Sequence, residues 1–149
     1  MYTAELREKI SQGDIFDNFP VVDIKFVASD AEPEVCMRRS RVMLISNDCD
    51  YDNCRYVMVA ETRPLTDIAA KDRDNVRHGR SRKTFYLSGN PSHFPESFTD
   101  FRCVHRIAKQ FIADGGQFHP RISSLVYMER LALQRSIAIF FGVSPNGPL

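Results

Sequence analysis

Residues 41–50 read RVMLISNDCD: an apolar run, Val42 to Ile45, that stops abruptly at Asp48, Cys49 and Asp50. A continuous apolar stretch of this length, bounded by polar residues, predicts a buried strand, with residues 46–52 as the turn that leaves it. Residues 55–60, RYVMVA, are rich in β-branched and aromatic side chains and follow closely enough to pair with that strand as a hairpin. This pair is expected to be the centre of a sheet. Arg38, Arg39 and Arg41 precede the strand and carboxylates follow it, so opposite charges lie at its two ends.

The chain has 149 residues, enough for one domain over 1–149 that buries roughly two thirds of its unfolded surface. Lys and Arg number 20 against 19 Asp and Glu, and a net charge of +1 creates no global field for nucleic acid or an anionic membrane. Any such binding has to come from a local patch. The opening MYTAELREKISQGD carries charges throughout and no apolar core, which predicts neither a signal peptide nor an anchor. No stretch approaches the roughly 20 apolar residues of a membrane span. The four cysteines are irregularly placed, and reduced thiols and a cytoplasmic location are expected.

Residues 4–10 predict a short helix, and Gly13 breaks it before a strand over 14–19 that buries Ile15, Phe16 and Phe19. Pro20 is expected to interrupt the run; beyond it Val22, Ile24 and Phe26 alternate with Asp23 and Lys25 as in a half-buried strand, and residues 29–40 read as a surface loop. Residues 64–83 form a long basic insertion, with one helical turn over 66–71 and a tail, RDNVRHGRSRK. Short strands follow over 84–87 and 101–107, separated by a loop over 88–95. Gly115, Gly116 and Pro120 mark a further turn. The strongest helix covers 127–141, where Leu133, Ile137, Phe140 and Phe141 share a face and Arg130, Gln134 and Arg135 point away; Gly142 caps it and Pro145 stops it. The fold class is mainly β with α: a small, strongly bent sheet or barrel of about 5–7 strands with a C-terminal helix against it.

Five stretches in this order, GDIF (13–16), RVMLISND (41–48), YVMVAET (56–62), FRCVHRI (101–107) and the closing RISSLVYMERLALQRSIAIFFG (121–142), resemble the MazF/PemK toxins. These are endoribonucleases of bacterial toxin–antitoxin modules, built on an SH3-like barrel shared with the gyrase-poisoning CcdB-like branch. The resemblance implies metal-independent cleavage of single-stranded RNA, a homodimer, an antitoxin partner and no cofactor. It implies catalytic roles for an arginine before the central strand and a threonine ending the next. Arg39 or Arg41 takes the first role, since the family's Arg-Pro pair is replaced here by Arg39, Ser40, Arg41; Thr62 takes the second.

The chemistry fits those residue types. Attack by a ribose 2′-hydroxyl needs a base, an acid and donors for the charged phosphorane, and an arginine fork pairs two phosphate oxygens. Arg38 and the basic insertion, through Arg77, Arg80, Arg82 and Lys83, are candidate RNA contacts, with Phe85 or Tyr86 as stacking faces. Among the histidines, His105 falls on a strand and reads as structural, while His93 and His119 read as exposed candidates for proton transfer and His78 lies in the insertion. Asp48, Asp50 and Asp52 are spaced like calcium ligands, but Asn53 and Val59 stand where that loop needs glycine and glutamate, so no metal is expected. Cys49 reads as a small buried thiol rather than a nucleophile. A second class of function is a catalytically silent SH3-like barrel, bacterial or phage-encoded, that inhibits growth by binding a host protein; a third is a binding module without toxicity.

Overall fold

The computed structural model describes residues 2–3, 6, 8–114 and 118–142. The apolar run at 42–45 forms the buried end of β2 (Glu34–Leu44), which pairs antiparallel with β1 (Asp14–Lys25) on one side and β3 (Tyr56–Pro64) on the other. With β4 (Thr84–Leu87), β5 (Ser97–Ala108) and β6 (Arg121–Ser124) they make one six-stranded antiparallel sheet in the order β4-β5-β3-β2-β1-β6. The expected hairpin is therefore the middle of the sheet, with Arg41 opposite Thr62 and Leu44 opposite Val59.

Alternation along β2 sends neighbouring side chains to opposite faces, and both faces are covered. Ile15, Met43 and Ala60 pack with Leu133 of α4 (Tyr127–Phe140). Val42, Leu44, Val57 and Val59 pack with Tyr51 of α1 (Asp48–Asn53) and Ile112 of α3 (Lys109–Asp114). Tyr2 links the two ends of the sheet: it bridges to Leu125 just past β6, and its ring stands edge-on to Phe94 in the β4–β5 connection at 5.4 Å. The result is a barrel-like sheet with a C-terminal helix, as the sequence leads one to expect.

One bulge sets the geometry of the functional region. In the β1–β2 ladder Phe16 faces Val42 and Phe19 faces Ser40, so Asp17 and Asn18 together oppose Arg41. Asn18 absorbs the extra residue with a left-handed backbone, φ 52°, which asparagine tolerates better than most side chains. Pro20 does not interrupt this strand. It sits in the ladder opposite Arg39, where β6, paired only with residues 14–16, no longer asks β1 for an N–H.

Several expectations are corrected. Residues 34–40, read as loop, extend β2 into a two-stranded ribbon with β1, and Val22 and Ile24 on it are 53% and 73% exposed rather than half-buried. The turn at 46–52 is α1, whose N-cap Asn47 accepts from the Asp50 N–H. Its acids are structural: Asp48 accepts from the Gln12 N–H and pairs with Arg130, and Asp52 pairs with Lys9. Cys49 is exposed, not buried, and all four cysteines are free thiols. Leu6 and residues 8–10 are not helical; Ala4, Glu5 and Arg7 lie outside the described residues, as do Gly115, Gly116 and Pro145. The insertion holds a 3-10 turn, Leu65–Asp67, and α2 (Ala70–Arg77), because Val76 has Leu65 and Phe98 to pack against. On α4, Arg130 and Gln134 do not point away but reach Asp48 and Gln12 at the barrel, and Phe141 is half exposed. Gly142 ends that helix with φ 72°, as expected of a C-terminal glycine. No helix among the described residues is long and apolar enough to cross a membrane.

Leu133 is the fully buried anchor of α4. Leu133→Ala is predicted to cost about 2–5 kcal/mol in urea unfolding; a loss under about 1 kcal/mol would mean that α4 does not seal this face.

Candidate active site

Arg39, Arg41 and Thr62 line one open cleft of about 430 Å³, together with Asp17, Asn18 and Arg63. The register explains the convergence. Arg41 and Thr62 are cross-strand partners and so share a face, and Arg39 lies two residues along the same strand. The bulge then delivers Asp17, whose Oδ2 is 3.2 Å from Arg41 Nη2. The Arg41 guanidinium also lies over the Phe94 ring, 5.2 Å from its centroid. Ion pair and ring hold the fork in place at low entropic cost.

Arg63 repeats the arrangement one residue past Thr62. Its Nη2 is 2.7 Å from Asp100 Oδ2 and its guanidinium lies 5.2 Å from the Phe98 centroid. The Nε donors of both Arg41 and Arg63 are buried and have no partner. A buried donor without a partner is an unmet demand for an acceptor; both residues line the cleft, although alternation sends Arg63 to the opposite face of β3 from Thr62. Arg39 is looser, with Nη1 3.2 Å from the Asn18 carbonyl oxygen. Thr62 is 4% exposed and its Oγ1 is 2.9 Å from Thr99 Oγ1, so its hydroxyl already shares a hydrogen bond inside the barrel.

Arg38 is not part of this cleft. Alternation turns it to the other face, where its Nε is 2.6 Å from Asp23 Oδ2 and its Nη1 2.9 Å from Glu61 Oε2. His105 donates from Nε2 to Glu61 Oε1 at 2.7 Å, a structural role. Glu61 therefore directs its charge away from the Thr62 side of β3 and spends it on Arg38 and His105. Burial opposes ionisation of Glu61, yet the hydrogen bonds from Arg38 and His105 outweigh it and hold the carboxyl below its ordinary value.

The basic insertion lies apart from the arginine cleft. Arg77 is committed to Glu96, at 2.8 and 2.9 Å, and to Asp74. Glu96 is held down at about 2, first by Arg77 and then by Tyr86. Arg80 and Lys83 line a separate cleft with Asp72, Thr84 and Arg102, and Arg82 is exposed beside it. Of the possible stacking faces there, Phe85 is buried and Tyr86 is bonded to Glu96. His119, read as exposed, is 3% exposed and stacks on Phe111 with ring centroids 4.6 Å apart. His93 is exposed but lines a different cleft, with Thr3 and Arg121. His78 closes α2, with Nδ1 2.7 Å from the Asp74 carbonyl oxygen.

Sequence reasoning missed Asp17, Arg63, Phe94 and Phe98. A signal for Asp17 was present in Asp-Asn inside a strand pattern, a pair suited to a bulge. No comparable signal marked the two rings, which reach the site through tertiary packing. No protein family model matches the chain. No curated protein matches it either.

The depressed Glu61 group makes an acid-side prediction. Its stabilising effect is present above the ordinary carboxylate pKa and is lost as pH falls through its lower folded value. Glu61→Gln is expected to destabilise the protein at neutral pH, with the gap to wild type shrinking between about pH 5 and pH 3 in denaturant titrations. A gap independent of pH would show that the carboxylate charge is not what Arg38 and His105 hold.

Proposed function

We propose that this chain is a metal-independent endoribonuclease for single-stranded RNA, of the growth-inhibitory MazF/PemK-like kind, with the Arg39–Arg41–Thr62 cleft as its active site. The observation that carries the reading is the cross-strand register that puts Arg41 beside Thr62, with Arg39 and Arg63 on the same cleft and two guanidinium donors unpaired. Arg41 and Arg39 bind the scissile phosphate, and their charge stabilises the phosphorane that forms as the 2′-oxygen attacks phosphorus. Asp17, the carboxylate on this cleft, takes the 2′-hydroxyl proton. The P–O5′ bond breaks, leaving a 2′,3′-cyclic phosphate on one product, and the departing 5′-oxygen takes a proton from water in the open cleft. Thr62 acts through Thr99 to hold the floor beneath Arg41. In a cell the reading carries with it a cytoplasmic site of action, a homodimer and an antitoxin that silences the cleft. Arg80, Arg82 and Lys83, apart from this cleft, are further contacts for the RNA backbone; Arg38 and Arg77 are spent on acids.

A second reading has its own observation. Val22, Ile24, Val35 and Met37 share one face of the β1–β2 ribbon and are 53–73% exposed. Such a face suits a protein partner, and in the catalytically silent alternative it would grip a host protein and inhibit growth that way.

Incubating the purified protein with mixed-sequence single-stranded RNA in EDTA tests the first reading. Discrete cuts ending in cyclic phosphate are expected, with the rate falling by about 100-fold or more in Arg41→Ala and in the Arg39→Ala, Arg41→Ala pair while the circular dichroism spectrum is unchanged. Intact RNA at high protein concentration, with growth arrest surviving those substitutions, would replace it with the second.

A further inference from the structure

A second, apolar cleft of about 680 Å³ shares one wall with the arginine cleft. Pro20, Met37, Phe111, Phe118 and His119 line it, and Arg39 lines both. Phe118 is 72% exposed and Met37 67%, a costly display of large apolar side chains beside a cationic site. We propose that this cleft receives one base of the single-stranded RNA whose phosphate occupies the arginine cleft, so that Arg39 spans the phosphate and the base beside it. The inference rests on the RNA reading above and deepens it by giving that RNA a base-reading subsite.

Most of the wall is apolar, with Arg39 and His119 as its charged and polar members, which favours a ligand with apolar faces over an ion alone. A base presents apolar faces and polar edges, and the cleft meets both. Phe111 and His119 already stack, with ring planes 22° apart, and the Phe118 ring is available to a planar ligand. The polar edge is His119. Its Nε2 lies 2.9 Å from the Phe111 carbonyl oxygen, which can only accept, so Nε2 carries the proton. In the neutral ring Nδ1 is then an acceptor, and it is buried without a partner. A base admitted to the cleft with an N–H on its edge would relieve that unmet demand, and bases lacking one there would be disfavoured.

A protein ligand on the exposed ribbon is the competing occupant, but of that face only Met37 lines this cleft, and Val22, Ile24 and Val35 do not. The orphaned ring nitrogen and the shared Arg39 favour a base.

The test measures the affinity of the full chain for a short 2′-O-methyl oligoribonucleotide, which cannot be cut, and for an abasic chain with the same number of phosphates. The oligoribonucleotide is expected to bind about tenfold more tightly or better, and Phe118→Ala to erase that difference while leaving abasic affinity unchanged. Phe118 is exposed enough for the variant to fold, and thermal unfolding checks it. Equal affinities for the two ligands in the wild type would overturn the base subsite and leave the arginine cleft standing. Failure to bind either ligand would overturn the RNA reading and the subsite with it. Loss of a dimer in Phe118→Ala, with oligonucleotide affinity unchanged, would assign the cleft to protein contact and overturn the proposal.

Discussion

Everything near the cleft depends on the register of β2 between its two neighbours. On one side β3 puts Thr62 opposite Arg41; on the other, the bulge in β1 sets two residues, Asp17 and Asn18, against that same arginine. Phe16 and Phe19 are three residues apart, so an unbulged strand would carry them to opposite faces and one of two fully buried rings would lose its core; the bulge returns both to the same face. Core packing on one face thus fixes the position of a carboxylate on the other. The site follows from the same constraint that holds the barrel together.

Alternation also sorts the charges. Arg38 and Glu61 neutralise each other with Asp23 and His105 on one face, while Arg39, Arg41 and the Thr62 hydroxyl take the other. A chain with net charge +1 can in this way carry a local cationic cleft without a global field. The exposed ion pairs of the insertion, such as Arg77 with Asp74, each contribute little to stability; their effect is to withdraw cations from solvent. On β2 that leaves Arg39 without a carboxylate partner among the described residues, beside the Arg41–Asp17 pair.

The centre of the fold was legible because Val42 to Leu44 and Val57 to Val59 carry strong local patterns that agree with their tertiary setting. The pairing that brings Arg41 to Thr62 was legible only as far as the two strands being neighbours: β3 runs past residue 60 to Pro64, and α1 rather than a tight turn joins it to β2, so no turn chemistry in the sequence gives the register. The ribbon at 34–40 was not legible, because EVCMRRS alternates weakly and its apolar residues face solvent. His119 was misread for the opposite reason: Pro120 beside it suggests an exposed loop, yet Phe19 and Phe111 close around its ring. Phe94 and Phe98 carry no local mark of their role, which depends on where β5 folds back against β3.

The arrangement makes its sharpest claim about the Nε donors of Arg41 and Arg63, which are buried without a partner on two residues that line the cleft. Arginine side-chain NMR on the full protein, titrated with an uncleavable 2′-O-methyl oligoribonucleotide, reads those two N–H groups directly. Both signals are expected to shift and become protected from exchange as the RNA binds, with Arg41 responding in step with Arg39. RNA that binds while leaving both signals unmoved would place the phosphate elsewhere and contradict it.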